Sequence, residues 1–423
     1  MIKSIAKKIL ATLITLGSAG CSQPDNFIQP DNFFQQDSFV DSFSHKFGNF
    51  AVKFNTAYKG LYEENEKIGR AAPDNPDKLF RKIMDTAKKS LDIAIFDIEE
   101  PSTCHTLIDA QKRGVKVRII TDSDNTGEKN NPDVPRKILE EMKAAGIQIK
   151  EDKRSAFMHN KFVIMDDTVV LTGSMNLTSY SMYRDNNNSL MIKSPELAAN
   201  YKAEFKRLFD QGMLSPNPHE IPYPHVNIEG VDVNVYFSPG GGTKDAVIQA
   251  LNSAKKSIKF MAFSLTDKDI QQLLLDKVQA GVKVEGIFDG CMISKYSSYF
   301  AFVQNKIPVL IDGNQALLHD KAFIIDNKTV ITGSYNFSKN AENNNNENTL
   351  IIKSSQIAGF YNSEFNRLKH ASLFNKNLPP YDNRACSSTD SGNDISINLP
   401  DVNNSPKGAP VSINSEVNTN KLR

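Results

Sequence analysis

Two histidines in this chain stand in matching frames. His159-Asn160-Lys161 is followed after four residues by Asp166, and after six more by Gly173-Ser174-Met175-Asn176. His319-Asp320-Lys321 is followed at the same intervals by Asp326 and by Gly333-Ser334-Tyr335-Asn336. The residues between are apolar and strand-like, at 162–165 and 322–325. Side chains two apart on a strand share a face, so each frame presents an imidazole beside an ammonium. A turn at Asp166-Asp167, or at Asp326-Asn327-Lys328, returns a second strand carrying Ser174 and Asn176, or Ser334 and Asn336, to the same face. If the two faces meet, one cleft holds two imidazoles, two ammoniums and two amides. That set suits a phosphate diester. Lys161, Lys321, Asn176 and Asn336 are expected to bind the non-bridging oxygens. One imidazole, His159 or His319, would attack phosphorus while the other protonates the leaving oxygen. No metal-ligand spacing accompanies the frames, so neither a metal nor another cofactor is expected. Asp166 and Asp326 read as structural hydrogen-bonding groups of their turns. Ser174 and Ser334 read as phosphate contacts or turn caps, and Gly173 and Gly333 as points of close backbone approach.

The elements that must position these groups recur too. Ala87-Lys88-Lys89-Ser90-Leu91 returns as Ala254-Lys255-Lys256-Ser257-Ile258, and Gly114-Val115-Lys116-Val117 returns at the same offset as Gly281-Val282-Lys283-Val284. Glu204-Phe205 and Arg207-Leu208 return at a slightly shorter offset as Glu364-Phe365 and Arg367-Leu368. The first copy therefore carries seven extra residues, which the polar stretch 122–135 would absorb at little cost. In each copy helical periodicity (79–89; 245–255) leads into an apolar strand (91–97; 258–264). A second helix then ends at Gly114 or Gly281, and a second strand follows (115–121; 282–289). The pattern predicts an α/β fold of two duplicated lobes, each a mostly buried mixed sheet flanked by helices, packed as a pseudo-twofold dimer within a monomeric chain. The boundaries read as a signal at 1–20, a flexible tether at 21–45, lobe 1 at 46–212, lobe 2 at 213–378 and a disordered Asn/Ser/Asp/Pro-rich tail at 379–423. Pro216, Pro218, Pro222 and Pro224 mark the linker between lobes.

The doubled frame resembles the phospholipase D and nuclease superfamily, the HKD family, over about residues 47–374. The resemblance implies a phospholipase D-like fold, a phosphohistidine intermediate resolved by water or an alcohol, and metal independence. It also implies a carboxylate after the motif that orients the catalytic histidine. Glu347, downstream of His319, fits that position. The residue at the same distance after His159 is the uncharged Asn187, with Asp185 nearby as a substitute. On this basis His319 is expected to pair with Glu347 and act as general acid, and His159 to be the nucleophile. The substrate is expected to be a phospholipid, cut to phosphatidate and a head-group alcohol. A nucleic acid cut by an endonuclease is the alternative, and an inactive phosphate-binding protein a third reading. Aromatic residues at 293–302 belong either to a lipid-facing rim or to a helix burying Tyr299, Phe300 and Phe302.

Composition narrows the class. The 423 residues are 39% hydrophobic and 23% charged, as in soluble globular chains. Without Lys3, Lys7 and Lys8 the 50 basic residues become 47 against 49 acidic ones, so no global positive field advertises nucleic acid. Those lysines precede a short apolar run at 9–16, too short to span a bilayer, and then Ser18-Ala19-Gly20-Cys21. This reads as a secretory signal whose end is similar to a bacterial lipobox. Cys21 would then be lipidated and anchor the protein in the cell envelope; an ordinary signal with an incidental cysteine is the other reading. Cys104 and Cys291 are expected to be buried apolar fillers, with no disulfide.

Overall fold

The computed structural model describes residues 45–55, 67, 69–71, 76–128, 131–212, 214, 221–314 and 316–374, all within one compact unit. The expected signal and tail, Cys21, Cys386, and the tether up to residue 44 lie outside them.

Two eight-stranded mixed sheets repeat one topology. The first holds β1 (His45–Phe47), β2 (Phe50–Phe54), β3 (Ser90–Ile95), β4 (Lys116–Thr121), β7 (Gln148–Glu151), β8 (Lys161–Met165), β9 (Val169–Gly173) and β10 (Asn188–Lys193), in the order β1-β2-β10-β9-β8-β3-β4-β7. The second holds β11 (Val226–Ile228), β12 (Val231–Ser238), β13 (Ser257–Ala262), β14 (Lys283–Phe288), β15 (Val309–Ile311), β16 (Lys321–Ile325), β17 (Thr329–Gly333) and β18 (Glu347–Lys353), in the order β11-β12-β18-β17-β16-β13-β14-β15. β3, β4 and β7 run parallel, as do β13, β14 and β15; the remaining pairings are antiparallel. The extra residues of the first copy form a small hairpin, β5 (Gly127–Glu128) with β6 (Asn131–Pro135). The second copy has no such hairpin among its described residues.

Both faces of each sheet are covered, which is why the central strands read as unbroken apolar runs. Outer faces pack against the helices Pro76–Met84 and Pro101–Lys112 in lobe 1, and Thr243–Asn252 and Lys268–Gln279 in lobe 2. The inner faces share one core with the helices Pro195–Phe205 and Ser355–Phe374. Each of those helices packs on its own lobe's sheet and also reaches across the divide. Tyr201 meets Phe237 of lobe 2 with ring centroids 5.2 Å apart, and Tyr361 meets Phe54 of lobe 1 at 5.0 Å. The apolar seam makes the lobes one body rather than two domains on a hinge.

Asp166 and Asp326 are structural. The Asp166 carboxylate accepts the backbone N–H groups of Lys88, Lys89 and Ser90, and Asp326 those of Lys255, Lys256 and Ser257, at 2.7–3.2 Å. Each staples its hairpin turn to the start of the neighbouring central strand, and the donors hold Asp326 below its ordinary range. Cys104 is buried and free. Cys291 departs from expectation. It stands half-buried in the loop after β14, outside the core that would enclose a filler, and is disulfide-bonded to a partner outside the described residues. Tyr299 and Phe302 are core residues and Phe300 packs against them, so the helical reading of that segment holds; Tyr296 before it is 61% exposed.

Candidate active site

His159 and His319 lie just before β8 and β16, at the seam between lobes. There the chain of each lobe pairs briefly with the other: Met158 bridges Asn346, and Asn186 bridges Leu318. These bridges aim the residue after each asparagine at a histidine of the opposite lobe. Glu347 Oε2 lies 2.8 Å from His159 Nδ1, and Asn187 Oδ1 lies 2.9 Å from His319 Nδ1.

This corrects the expected pairing. Glu347 orients His159, not His319, and the amide of Asn187 serves His319. The shared spacing after each histidine does place an orienting group, but the strand it opens runs along the lobe boundary and reaches the partner copy's histidine. Asp185 does not touch His159; its carboxylate accepts the Leu317 N–H.

The hydrogen bonds fix the tautomers. Asn187 Nδ2 donates to the Ser181 carbonyl at 3.0 Å, so Oδ1 faces the ring and His319 Nδ1 carries the hydrogen. Oδ1 also accepts from Ser174 Oγ at 2.8 Å. Glu347 Oε2 accepts from Ser334 Oγ at 2.6 Å, and Oε1 from Asn345 Nδ2 at 3.3 Å. The serines of the two frames therefore hold the histidines' partners, and these bonds engage Nδ1 rather than Nε2 of each imidazole. Gly173 and Gly333 do mark close approach. A Cβ at either would sit 2.2 Å from the carbonyl oxygen of Asn188 or Asn348, at φ near +145°.

Lys161 Nζ donates to the His159 carbonyl at 2.9 Å and Lys321 Nζ to the His319 carbonyl at 2.8 Å. Each ammonium also lies over a ring, Lys161 5.0 Å from Phe96 and Lys321 4.5 Å from Phe263. The same rings meet the imidazoles edge-on at 4.9 Å. Asn176 and Asn336 stand beyond the return strands with each Oδ1 buried and unpaired.

The four basic groups share one field. Burial pushes both imidazoles well below their ordinary value. Lys161 and then Lys321 add to this at His159, and Lys321, Lys161 and His159 do so at His319. Each imidazole is partly compensated by the backbone of the opposite lobe's serine, Ser334 or Ser174. Burial and then Lys161 push the Lys321 ammonium down as well. Burial raises Glu347 to about 8 against the pull of the lysines. With one proton on the Glu347–His159 pair, it sits on Nδ1 facing the carboxylate and leaves Nε2 with a free lone pair. A negatively charged group entering between the lysines would relieve their repulsion and bring up the imidazoles' proton affinity.

Several residues of this centre carry no sequence label of their own. Asn348 donates to Thr172 Oγ1 at 2.7 Å, and Asn188 Oδ1 accepts from Thr332 Oγ1 at 2.9 Å and Tyr361 Oη at 3.0 Å, all across the seam. Phe96 and Phe263 belong with them. Each of these has a twin in the other copy at the offset of its segment of the repeat, the signal by which they could have been found.

Fold and site together define a two-lobed α/β protein with one composite, pseudo-symmetric centre of two imidazoles and two lysines at the seam. The chain belongs to the family described as "Cardiolipin synthase, PLD-like domain", whose model matches residues 80–209 and 247–369. It is 36% identical over 131 residues to a phospholipase D of Rickettsia typhi and 33% identical over 125 residues to the mitochondrial cardiolipin hydrolase of Xenopus laevis. These matches cover 31% and 30% of this chain, and the chain spans 64% and 57% of those relatives' lengths. Among solved structures it is similar in fold to the phosphatidylserine synthase of Haemophilus influenzae, with a TM-score of 0.52 at 12% identity over 70% of this chain and 84% of that one.

Proposed function

We propose that this protein is a phospholipid-cleaving phosphodiesterase that works through a phosphohistidine on His159. The observation that carries the reading is the unequal partnering of two equivalent imidazoles: a carboxylate at His159 and an amide at His319, with Lys161 and Lys321 between. His159 Nε2 attacks phosphorus and the P–O bond to the leaving alcohol breaks. The new N–P bond makes the ring cationic, which the Glu347 carboxylate stabilises through Nδ1–H. His319 Nε2–H gives its proton to the departing oxygen. With only a neutral amide behind it, His319 parts with that proton more readily than an imidazole backed by a carboxylate. Water then attacks phosphorus, His319 takes back a proton, the N–P bond breaks, and a phosphate monoester leaves. The lysines and the amides of Asn176 and Asn336 hold the non-bridging oxygens throughout. The nucleophile is the one the sequence suggests; the physical reason is the reverse, because the carboxylate favours the ring that becomes charged.

The lipid as substrate is supported by the relatives' names and by the near balance of charge. Export and anchoring through Cys21 are supported by the 1–21 segment, and a disulfide at Cys291 fits an oxidising compartment. The test supplies purified protein with labelled phosphatidylcholine, cardiolipin and plasmid DNA, with chelator present and His159→Ala alongside. Head-group or phosphatidate release lost in the variant is expected. DNA cleavage without lipid cleavage, falling steeply with salt, would make it a nuclease, and inertness toward every diester would leave only phosphate binding. Anchoring is read from detergent-phase partition of the wild type against Cys21→Ser.

A further inference from the structure

Behind each histidine the backbone is gripped by a buried aspartate that takes no part in the proposed chemistry. We propose that Asp122 and Asp289 are positioning residues, one for each imidazole, that set the histidines by holding the residue immediately before them. The assignment deepens the reading of His159 and His319 given above and rests on it for the separate roles tested below.

The two aspartates occupy equivalent points of the repeat. Asp122 follows the last residue of β4, and Asp289 follows the last residue of β14. Asp122 Oδ2 accepts the Met158 N–H at 2.9 Å while Oδ1 accepts the Asp124 N–H at 3.0 Å. Asp289 Oδ2 accepts the Leu318 N–H at 2.8 Å while Oδ1 accepts those of Cys291 and Met292 at 2.9 and 3.2 Å. Each carboxylate thus ties the end of a central parallel strand to the residue preceding a histidine.

That residue is one rail of a cross-lobe bridge, and the other rail is gripped as well. Arg154 Nη2 donates to Asn346 Oδ1 at 2.5 Å, and Arg367 Nη2 to Asn186 Oδ1 at 3.0 Å. Asn346 and Asn186 directly precede Glu347 and Asn187. Both ends of each Nδ1 hydrogen bond are therefore fixed one residue upstream, by Asp122 with Arg154 and by Asp289 with Arg367. The arginines come from unrelated places, a loop before His159 and the helix Ser355–Phe374, yet meet equivalent asparagines. Such bracing is what an in-line attack needs, since displacement of a reacting group by about 1 Å can cost roughly 100-fold in rate.

Burial, with Asp152 facing it, raises Asp122 to about 7. A neutral acceptor of the same shape is therefore a fair substitute, and Asp122→Asn should keep the Met158 bond that Asp122→Ala loses.

The experiment measures first-turnover product release by the full-length protein from two diesters. One loses p-nitrophenol, which departs without protonation; the other loses a simple alcohol, which needs the acid. Variants are Asp122→Ala, Asp122→Asn, Asp289→Ala and Asp289→Asn, with His159→Ala and His319→Ala in parallel, compared at equal folded fraction by thermal melting. Asp122→Ala is expected to slow both diesters by about 10- to 100-fold, and Asp289→Ala to slow the alkyl diester by a similar factor while p-nitrophenol release stays within about threefold. Both Asn variants should recover most of the loss. Each aspartate should thus copy its own histidine. Wild-type first-turnover rates in the folded Ala variants, or equal losses on both diesters from Asp289→Ala when His319→Ala discriminates, would overturn the proposal. His319→Ala that hits both diesters alike would instead overturn the acid role of His319. Asp289 would then be judged by whether its Ala variant shows that same uniform loss, and a wild-type rate would count against it.

Discussion

Replacing Glu347 by Gln separates a carboxylate's charge from its shape. The amide oxygen can still accept from His159 Nδ1 and Ser334 Oγ, now 2.8 and 2.6 Å from Oε2, while its Nε2 would face the Asn345 amide nitrogen that sits 3.3 Å from Oε1. The ring stays oriented and loses the negative charge behind it. Hydrogen bonds to charged groups are worth about 1.5–3 kcal/mol against about 0.5–1.5 for neutral ones, so a cationic phosphoimidazole loses about 1–2 kcal/mol of support. That converts to a roughly 5- to 30-fold slower formation of the phosphoenzyme. The assay is first-turnover release from the p-nitrophenyl and alkyl diesters, followed by acid-labile, alkali-stable trapping of label to separate phosphohistidine from other adducts. The loss should be the same for both leaving groups, because Glu347 acts at the nucleophile. A variant that slows only the alkyl diester would place Glu347 behind the acid and reverse the roles of the two histidines. A variant with the wild-type rate would remove the charge argument altogether.

Four further outcomes follow from the same geometry. Asp122, Asp185, Asp312 and Asp320 are raised to about 7 and Glu347 to about 8, each chiefly by burial. Groups whose folded value lies above the unfolded one stabilise at low pH and lose that contribution as pH rises through the folded value, whereas the depressed histidines contribute fully above about 6.5. Lys321, held below its ordinary range, opposes the five carboxylates as a single group, so the melting temperature should fall from about pH 6.5 to about 8.5, and a rise over that window would contradict the burial of these carboxylates. Gly173→Ala should cost several kcal/mol, because its Cβ would meet the Asn188 carbonyl at 2.2 Å with φ at +145°; denaturant melts would show it, and wild-type stability would mean the hairpin can move. Asp166→Ala should cost about 1–3 kcal/mol by leaving three backbone N–H groups without their acceptor, towards the low end because water reaches the turn, while first-turnover rates of the folded protein stay unchanged. Inorganic phosphate should raise the melting temperature by binding between the ammoniums, and Lys161→Met should abolish the rise.

The gathering of both histidines and both lysines at one seam was legible because these side chains stand in two uninterrupted frames. The short step from His159 to Lys161 brings the Lys161 ammonium onto the His159 carbonyl, and the same spacing serves His319 and Lys321, whereas Ser174 and Ser334 each reach the partner of the opposite lobe's histidine. The strands were legible because burial on both faces leaves apolar runs. What escaped were relations between copies. Asn187 and Glu347 fall where β10 and β18 begin, and nothing in their position along the chain says which imidazole each one meets. The exchange of these two groups depends on how two sheets dock, a property of the inner core around Tyr201 and Tyr361. Asp122, Asp289 and Arg154 escaped for a related reason. They act on backbone N–H groups or on neighbouring asparagines, and leave no motif because their partners need no particular side-chain pattern.

The crossing of partners over the seam has a consequence for how such a chain can change. Each half lends its companion the group that steers its ring, so neither half orients its own histidine. A substitution at residue 347 registers as a defect in the amino-terminal half, and one at residue 187 as a defect in the carboxy-terminal half. The two copies are free to drift apart in everything that faces outward, but at the seam each is held to the needs of the other.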